Sequence, residues 1–213
     1  MIEYLTMEQR TDQRREAGLR TRGRLMDAAL DLLAARGEDG LTLREITDAA
    51  DANVAAVSYH FGSLKGLCDA AVERALEAYL DAQQEAVGAL GPESTLEQLA
   101  SAFARPMMRA LVAGGRDLAT MRIVARSGID PPQGWDRLGT RFEKIRGDVV
   151  RVLKPNVPGV TQQELIFRTR CAAGLLNWLV LAPIGEELRD KTEKQLERLL
   201  VPVLTGSLRG TSR

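Results

Sequence analysis

Apolar residues recur at helical spacing along almost the whole chain, whereas the alternation of apolar and polar residues typical of strands never persists for more than a few residues. Capping residues precede the apolar runs at Thr42, Asn53 and Ser63, and glycines follow them at Gly37 and Gly62. This pattern predicts an all-α protein of about nine helices.

The cap and stop signals also give the expected bounds of these helices. The first four are expected from a cap at Thr21 to a stop at Gly37, over about 43–50, from Asn53 to Tyr59 or His60, and from Ser63 to about Gly88. The later ones are expected over 94–113 with a kink at Pro106, over 116–126, from Asp130 to about Leu153, from Thr161 to about Leu181, and from about Glu186 to Leu204.

The length and the residue counts exclude several classes of protein. A chain of 213 residues buries enough surface to need no disulfide or metal. It has two cysteines, Cys68 and Cys171, and one histidine, His60, which are too few for a disulfide scaffold or for a zinc site built from Cys and His alone. No signal peptide is visible between Met1 and Arg24, and the longest apolar run is too short to span a bilayer. We therefore expect a cytoplasmic protein with no membrane partner, no metal and no cofactor.

Charge gives a local signal only. The chain has 29 basic and 29 acidic residues, so its net charge does not point to a nucleic-acid partner. Between Arg10 and Arg24, however, six arginines stand against Asp12 and Glu16. Such a cluster is typical of a solvated tail and is also compatible with contacts to a nucleic acid. We interpret residues 1–18 as a flexible basic arm.

The second and third helices are short and are joined by a short turn, which indicates a helix-turn-helix unit. The segment 41–67 closely resembles the DNA-binding segment of the TetR (tetracycline repressor) family of transcriptional regulators. The residues that carry the resemblance are Thr21, Arg24, Leu25, Ala28, Ala29, Thr42, Ile46, Ala50, Asn53, Tyr59, His60, Phe61, Ser63, Lys65 and Leu67. The resemblance implies a helix-turn-helix domain over 19–66, followed by a larger helical domain over 67–208 that binds a ligand and forms a dimer.

One departure from the family lies in the turn. The family usually has Gly-Val where this chain has Asp51-Ala52. Asp tolerates the left-handed conformation that glycine normally supplies, so we expect the turn to form at some cost. A carboxylate beside DNA phosphates should weaken DNA affinity more than it affects the fold.

The third helix suits a place in the DNA major groove. A recognition helix needs small residues at its amino end so that its backbone approaches the base edges, whereas Val57 and Phe61 should face inward. His60 is open to two interpretations, a DNA contact or a packed histidine. The resemblance and the charge placement together predict a DNA-binding set made of Arg20, Arg22, Thr42, Arg44, Asn53, Val54, Ala55, Ala56, Ser58, Tyr59, His60 and Lys65.

The last two helices are the candidate dimerisation surface. The helix over 162–181 is apolar on two faces and so needs two partners, and the final helix is amphipathic. In the family these two helices of each subunit form a four-helix bundle, which implies a homodimer. The alternative is that both helices only complete the monomer core. The expected interface residues are Phe167, Cys171, Gly174, Leu175, Trp178, Leu196, Leu199, Leu200 and Val203.

A ligand pocket, if the family pattern holds, should lie among the three middle helices. The bulky apolar residues there are Phe103, Met107, Met108, Leu111, Ile123, Trp135 and Phe142. Residues of this kind at helical spacing are also what an ordinary core contains, so the pattern leaves both interpretations open. The small-molecule effector is not identified by the sequence.

The sequence allows three classes of function to be compared: an enzyme, a ligand-binding module and a DNA-binding regulator. An enzyme is disfavoured because the chain has one histidine, no glycine-rich phosphate loop and no metalloprotease motif. A helical ligand-binding module that has lost specific DNA binding is the alternative, supported by Asp51 and by the excess of acidic over basic residues in 1–65. The sequence favours a ligand-responsive regulator, most simply a repressor, that binds palindromic double-stranded operator DNA as a dimer.

Overall fold

The structure is a computed structural model, and it describes residues 7–37, 40–129, 136–182 and 187–210. Within these ranges the regular structure is helical and no strand occurs, as predicted. The helices are α1 (Met7–Arg36), α2 (Leu43–Ala49), α3 (Val54–Phe61), α4 (Leu64–Gly88), α5 (Leu96–Ala113), α6 (Gly115–Ser127), α7 (Asp136–Asn156), α8 (Gln162–Leu181) and α9 (Glu193–Arg209).

The chain divides into two compact units, the N-terminal unit (Met1–Glu73) and the C-terminal unit (Arg74–Arg213). The division falls within α4, whereas the resemblance implied a boundary after residue 66. In the N-terminal unit, α1, α2 and α3 contact one another pairwise. Leu25, Ile46 and Val57 are at most 1% exposed, so one apolar side chain from each helix is fully buried.

The C-terminal unit is a helical bundle. Helix α5 packs along α9, and α8 packs against both α6 and α7. The side chains that are fully buried here come from several helices, and they include Leu99, Met108, Leu153, Leu165 and Leu196. Among the described residues, no helix is both long enough and apolar enough to cross a membrane.

Several predicted helix ends are confirmed. Thr42 caps α2, Asn53 caps α3 and Thr161 caps α8, each by accepting a hydrogen bond from a backbone amide three residues later. Ser63 does the same at the start of α4, and Gly37 ends α1 with a positive φ of 79°. These ends were predictable because a cap depends only on neighbouring residues.

Three predicted helix starts are wrong. Helix α1 begins at Met7, so residues 7–18 of the predicted arm are helical, and Thr21 lies within α1, where its hydroxyl donates to the Ala17 carbonyl. Helix α5 is capped by Thr95, not Ser94, because Thr95 and Gln98 form a reciprocal capping box. The same arrangement at Thr192 and Gln195 begins α9 later than the predicted Glu186. The cap predicted at Asp130 lies outside the described residues.

Candidate functional site

The helix-turn-helix is held by local hydrogen bonds at both of its helix starts. The Thr42 side chain accepts from the Glu45 amide, and the Glu45 carboxylate accepts from the Thr42 amide at 3.1 Å. The Asn53 side chain accepts from the Ala56 amide at 2.8 Å. Between the helices, Asp51 takes the left-handed conformation with φ 47°, as the sequence predicted. The starts of α2 and α3 are therefore each fixed by a capping residue that directly precedes the helix.

Arg24 was quoted for the resemblance but was given no role, and the structure supplies one. Its guanidinium donates to the Asp51 carbonyl oxygen at 3.1 Å and lies 4.0 Å from the Asp51 carboxylate. A hydrogen bond between residues so far apart in the sequence leaves no local pattern. Arg24 thereby ties α1 to the turn and positions the start of α3.

One face of α3 is available for contacts. Val57 is buried, whereas Val54 is 47% exposed, Tyr59 is 85% exposed, and Ala55 and Ser58 are exposed. Ala56 is half-buried and Asn53 is exposed. The structure thus brings small side chains and one large aromatic ring together on the outer surface of a short helix. Such a face can approach base edges closely and still offer a hydroxyl at Ser58 and a phenol at Tyr59.

Four basic residues of the predicted DNA-binding set already have partners within the chain. Lys65 donates to both carboxylate oxygens of Asp69 at 2.9 and 2.8 Å, and Arg20 pairs with Glu16 at 3.4 Å. The Arg44 guanidinium lies 3.8 Å from the Asp48 carboxylate. The Arg22 guanidinium lies over the Phe61 ring, 5.2 Å from its centroid. The first three pairs are exposed and therefore weak, so DNA phosphates could replace their acidic partners.

His60 is half-buried and packs edge-on against its neighbours Tyr59 and Phe61, with ring centroids 4.8 and 6.1 Å apart. A Cβ atom added at Gly18 of α1 would lie 3.8 Å from the His60 ring. The geometry therefore favours the packed histidine over the DNA contact. Phe61, expected to face inward, is also only half-buried, and it carries the Arg22 contact.

Glu45 has a perturbed pKa. The hydrogen bond from the Thr42 side chain, then that from Arg36, hold the pKa of this carboxyl below its ordinary value. The Arg36 guanidinium reaches Glu45 at 2.8 Å, which joins the end of α1 to the start of α2. The Glu45 carboxylate is thus paired with Thr42 and Arg36 within the N-terminal unit.

The C-terminal unit presents an exposed apolar stripe, which consists of residues on α8 and α9. On α8, Phe167 is 66% exposed and Trp178 is 54% exposed, and Cys171 and Gly174 are exposed between them. The opposite face of α8 is buried in the unit. The stripe continues on α9 with Leu199 and Val203, while Leu175 is half-buried.

Two predicted interface residues are not on this surface. Leu196 and Leu200 are 0% and 7% exposed and belong to the core of the C-terminal unit. An amphipathic helix has apolar residues over a wide arc, and the sequence does not show which edge of that arc faces the helix's own unit. The exposed stripe is therefore Phe167, Cys171, Gly174, Trp178, Leu199 and Val203.

The predicted pocket residues also fall into two groups, those that border a cavity and those that are buried without bordering one. Phe103 and Phe142 border one cavity of about 90 Å³, which α4, α5, α7 and α8 enclose. Met107, Met108, Leu111 and Ile123 are buried but border neither this cavity nor a second one along α4, described below. Trp135 lies outside the described residues. Tyr79, Leu80 and Gln83 were missed as cavity residues, because the pocket was expected among the three middle helices and not on α4.

Within the described ranges, no group of three or more His, Cys, Asp or Glu side chains is placed to hold a metal ion.

Residues 25–71 match the family model described as bacterial regulatory proteins of the tetR family. That segment contains α2, α3 and the part of α1 from Leu25 onward.

Two curated relatives are similar to parts of the chain. A probable HTH-type transcriptional regulator, YttP of Bacillus subtilis (strain 168), is 34% identical over 79 residues, which cover 37% of this chain. An uncharacterized HTH-type transcriptional regulator from the dhlA 5′ region of Xanthobacter autotrophicus is 29% identical over 124 residues, which cover 58% of this chain. The matched segments span 38% and 55% of the lengths of these two relatives.

Solved structures share the fold over nearly the whole chain. The TetR family regulator PfmR from Thermus thermophilus matches with a TM-score of 0.60 at 18% identity, over 89% of this chain and 96% of that one. A TetR family member from Streptomyces coelicolor matches with a TM-score of 0.60 at 20% identity, over 88% and 97%. The segment 25–71 is thus similar to bacterial regulatory proteins of the tetR family, and the all-helical fold is similar to that of the two solved structures.

Proposed function

We propose that this chain is a ligand-responsive transcriptional repressor that binds a near-palindromic DNA operator as a homodimer and is released by a small molecule. The observation that carries the proposal is the exposed face of α3, where Ser58 and Tyr59 stand among small residues on a helix capped by Asn53. A helix of this size with small exposed side chains fits the major groove.

The exposed stripe supports the dimer. Phe167 and Trp178 keep more than half of their surface in water, so they do not complete the monomer core, which was the alternative interpretation of α8. Each of these aromatic side chains that becomes fully buried in the contact stabilises the dimer by about 1.5–3 kcal/mol. In a two-fold dimer the same stripe meets itself, and two recognition helices then read half-sites about 34–36 Å apart.

The effector part of the proposal rests on the cavity and on α4. This helix carries Lys65 near its start and Tyr79 and Gln83 at the cavity, so it belongs to both units. A ligand that favours one arrangement of α4 would lower operator affinity by the ratio of its affinities in the two arrangements. A coupling of about 1–3 kcal/mol would give a useful switch.

A second candidate is a ligand-binding module without specific DNA binding. It is favoured by the exposed carboxylate of Asp51 and by the acidic partners of Arg20, Arg44 and Lys65, all of which reduce attraction to phosphates. The repressor should select a specific DNA sequence, whereas the ligand-binding module should select none.

Selection from a randomised duplex library with the full-length protein separates them. The repressor should enrich one near-palindromic motif, and S58A should relax the preference at one base position in each half-site, because it removes a hydroxyl without changing the helix surface much. Recovery of unenriched DNA, with binding that depends on salt alone, would leave only the second candidate.

A further inference from the structure

The cavity among α4, α5, α7 and α8 has a largely apolar wall, to which Tyr79, Gln83, Arg146, Thr169 and Arg170 add polar groups. Leu80, Phe103, Phe142, Ile145 and Val149 supply most of its apolar surface. Gln83 of α4 borders it as well, and only 2% of this residue is exposed. A buried amide in such surroundings is costly unless all of its hydrogen-bonding groups have partners.

Only half of the Gln83 amide has a partner. Its Nε2 donates to the Phe103 carbonyl oxygen at 3.1 Å, which fixes the orientation of the amide. Its Oε1 is fully buried, and none of the residues that the structure describes donates to it. A buried acceptor without a donor destabilises the fold more than an apolar side chain of the same shape would.

The neighbouring polar groups do not satisfy this acceptor. The Thr169 hydroxyl donates to the Leu165 carbonyl oxygen at 2.9 Å, and Arg146 pairs with Glu143. Burial raises the pKa of Tyr79 to about 12, so its phenol is neutral at physiological pH. Gln83 thus brings an acceptor without a donor to the edge of the cavity, and a small shift of the wall would expose that acceptor to a bound molecule.

We infer that the cavity binds a compact, neutral, mainly apolar molecule that carries one hydroxyl or N–H group and donates it to Gln83 Oε1. The inference rests on the proposed function, in which the C-terminal unit takes a small effector, and it adds the chemical class of that effector. An acceptor-only group, such as a carboxylate, is repelled by Oε1, and a pure hydrocarbon leaves Oε1 as it is.

The volume sets the size of the part that enters. An engineered cavity of about 150 Å³ holds benzene, so the 90 Å³ here admits one ring only when side chains of its wall move apart. A longer molecule would extend past Tyr79, because Tyr79 also borders a groove of about 400 Å³ along α4, α5 and α6. Small side chains such as Ala78 and Ala82 form the α4 side of that groove.

Calorimetric titration of the full chain with phenol and with toluene tests the inference. The two probes have similar size, and only phenol donates a hydrogen bond. In Q83L the acceptor is gone, so the ratio of the toluene to the phenol dissociation constant should fall about tenfold from its value in the unmodified protein. A173L, which fills the cavity from α8, should weaken both probes. An unchanged ratio in Q83L, or no binding of either probe at millimolar concentration, overturns the inference.

Two further arms need no variant at Gln83, in case Q83L does not fold. Anisole, whose methyl group replaces the hydroxyl hydrogen, should bind the unmodified protein more weakly than phenol does. Binding of anisole that is as tight as that of phenol, or tighter, contradicts the inference. A gel shift with the selected DNA separates this inference from the proposed function: phenol that binds through Gln83 but leaves DNA affinity unchanged contradicts only effector control.

Discussion

Arg24 donates a hydrogen bond to the carbonyl oxygen of Asp51 and thereby fastens α1 to the turn of the helix-turn-helix. The bond uses the backbone of Asp51, whereas its carboxylate is fully exposed and 4.0 Å from the guanidinium. Since an exposed ion pair at this distance contributes little, the Asp51 side chain is not what holds the turn. Asp51 destabilises the fold through its left-handed backbone at φ 47°, and it places a negative charge near the proposed DNA face.

The first prediction separates these two costs. D51G should stabilise the protein by roughly 0.5–1 kcal/mol, because relief of the left-handed conformation exceeds the added freedom of the unfolded chain. D51N should change stability less, since Asn also tolerates this conformation only in part. Both variants should bind DNA more tightly, because both remove the charge. Urea unfolding and a gel shift measure the two effects, and lower DNA affinity in D51N would contradict the electrostatic argument.

The second prediction concerns Lys65 and its partner Asp69, whose carboxylate accepts two short hydrogen bonds from the ammonium. If Lys65 binds a phosphate, K65A should weaken binding to all sequences alike and reduce the slope of log K against log salt by about 0.9 for each phosphate that the protein no longer neutralises. D69N should act in the opposite direction, because the ammonium no longer has to leave a carboxylate. Equal salt slopes for K65A and the unmodified protein would remove Lys65 from the interface.

The third prediction follows from the hydrogen bonds that join Thr42, Glu45 and Arg36. The pKa of Glu45 is lowered in the folded protein, so its contribution is complete above its ordinary value of 4.5 and is lost as the pH falls through the folded value. E45Q should therefore lower the unfolding temperature at pH 7, and the difference from the unmodified protein should shrink as the pH approaches about 3. The exposed residue Glu85 provides a control variant, E85Q. A difference for E45Q that is the same at both pH values would contradict this role.

The turn was predictable because its signals are local. Thr42 and Asn53 are caps by residue type and position, and Asp51 is one of the few residues that tolerates a left-handed backbone. The start of α1 was not predictable in this way. Its first turns are polar and exposed on all sides where they are described, so no apolar stripe marks them, and an arginine-rich segment of this composition is also typical of a tail.

The C-terminal unit shows a different limit. Leu196 and Leu199 are equally apolar in sequence, but one is in the core and the other is 48% exposed, because the packing of α9 against α5 decides which face is covered. Gln83 is the opposite case. A glutamine on an amphipathic helix is normally assigned to the surface, and only the position of α5 beside α4 shows that it is buried.

The fourth prediction tests the exposed stripe on α8. W178E should give monomers at micromolar concentration by light scattering, because a carboxylate at the centre of an apolar contact stays unpaired and must lose its hydration. Ile129 is 68% exposed and does not belong to the stripe, so I129E is the matched control and should remain dimeric. A W178E protein that stays dimeric, or an I129E protein that dissociates, would place the interface elsewhere.

The last prediction uses Cys171, which lies within the stripe between Phe167 and Trp178 and is exposed in the monomer. In a two-fold contact a residue near the axis meets its own copy, and Gly174, one turn further along α8, lets the two helices approach. A short bismaleimide should therefore join two chains through Cys171 in the unmodified protein. Cys68 is buried, so C171S should not be cross-linked, and W178E should lose the cross-link together with the dimer. Denaturing gel electrophoresis measures the product. A protein that scatters light as a dimer but gives no cross-link at Cys171 would show that α8 does not lie at the axis and that the contact uses Leu199 and Val203 of α9 alone.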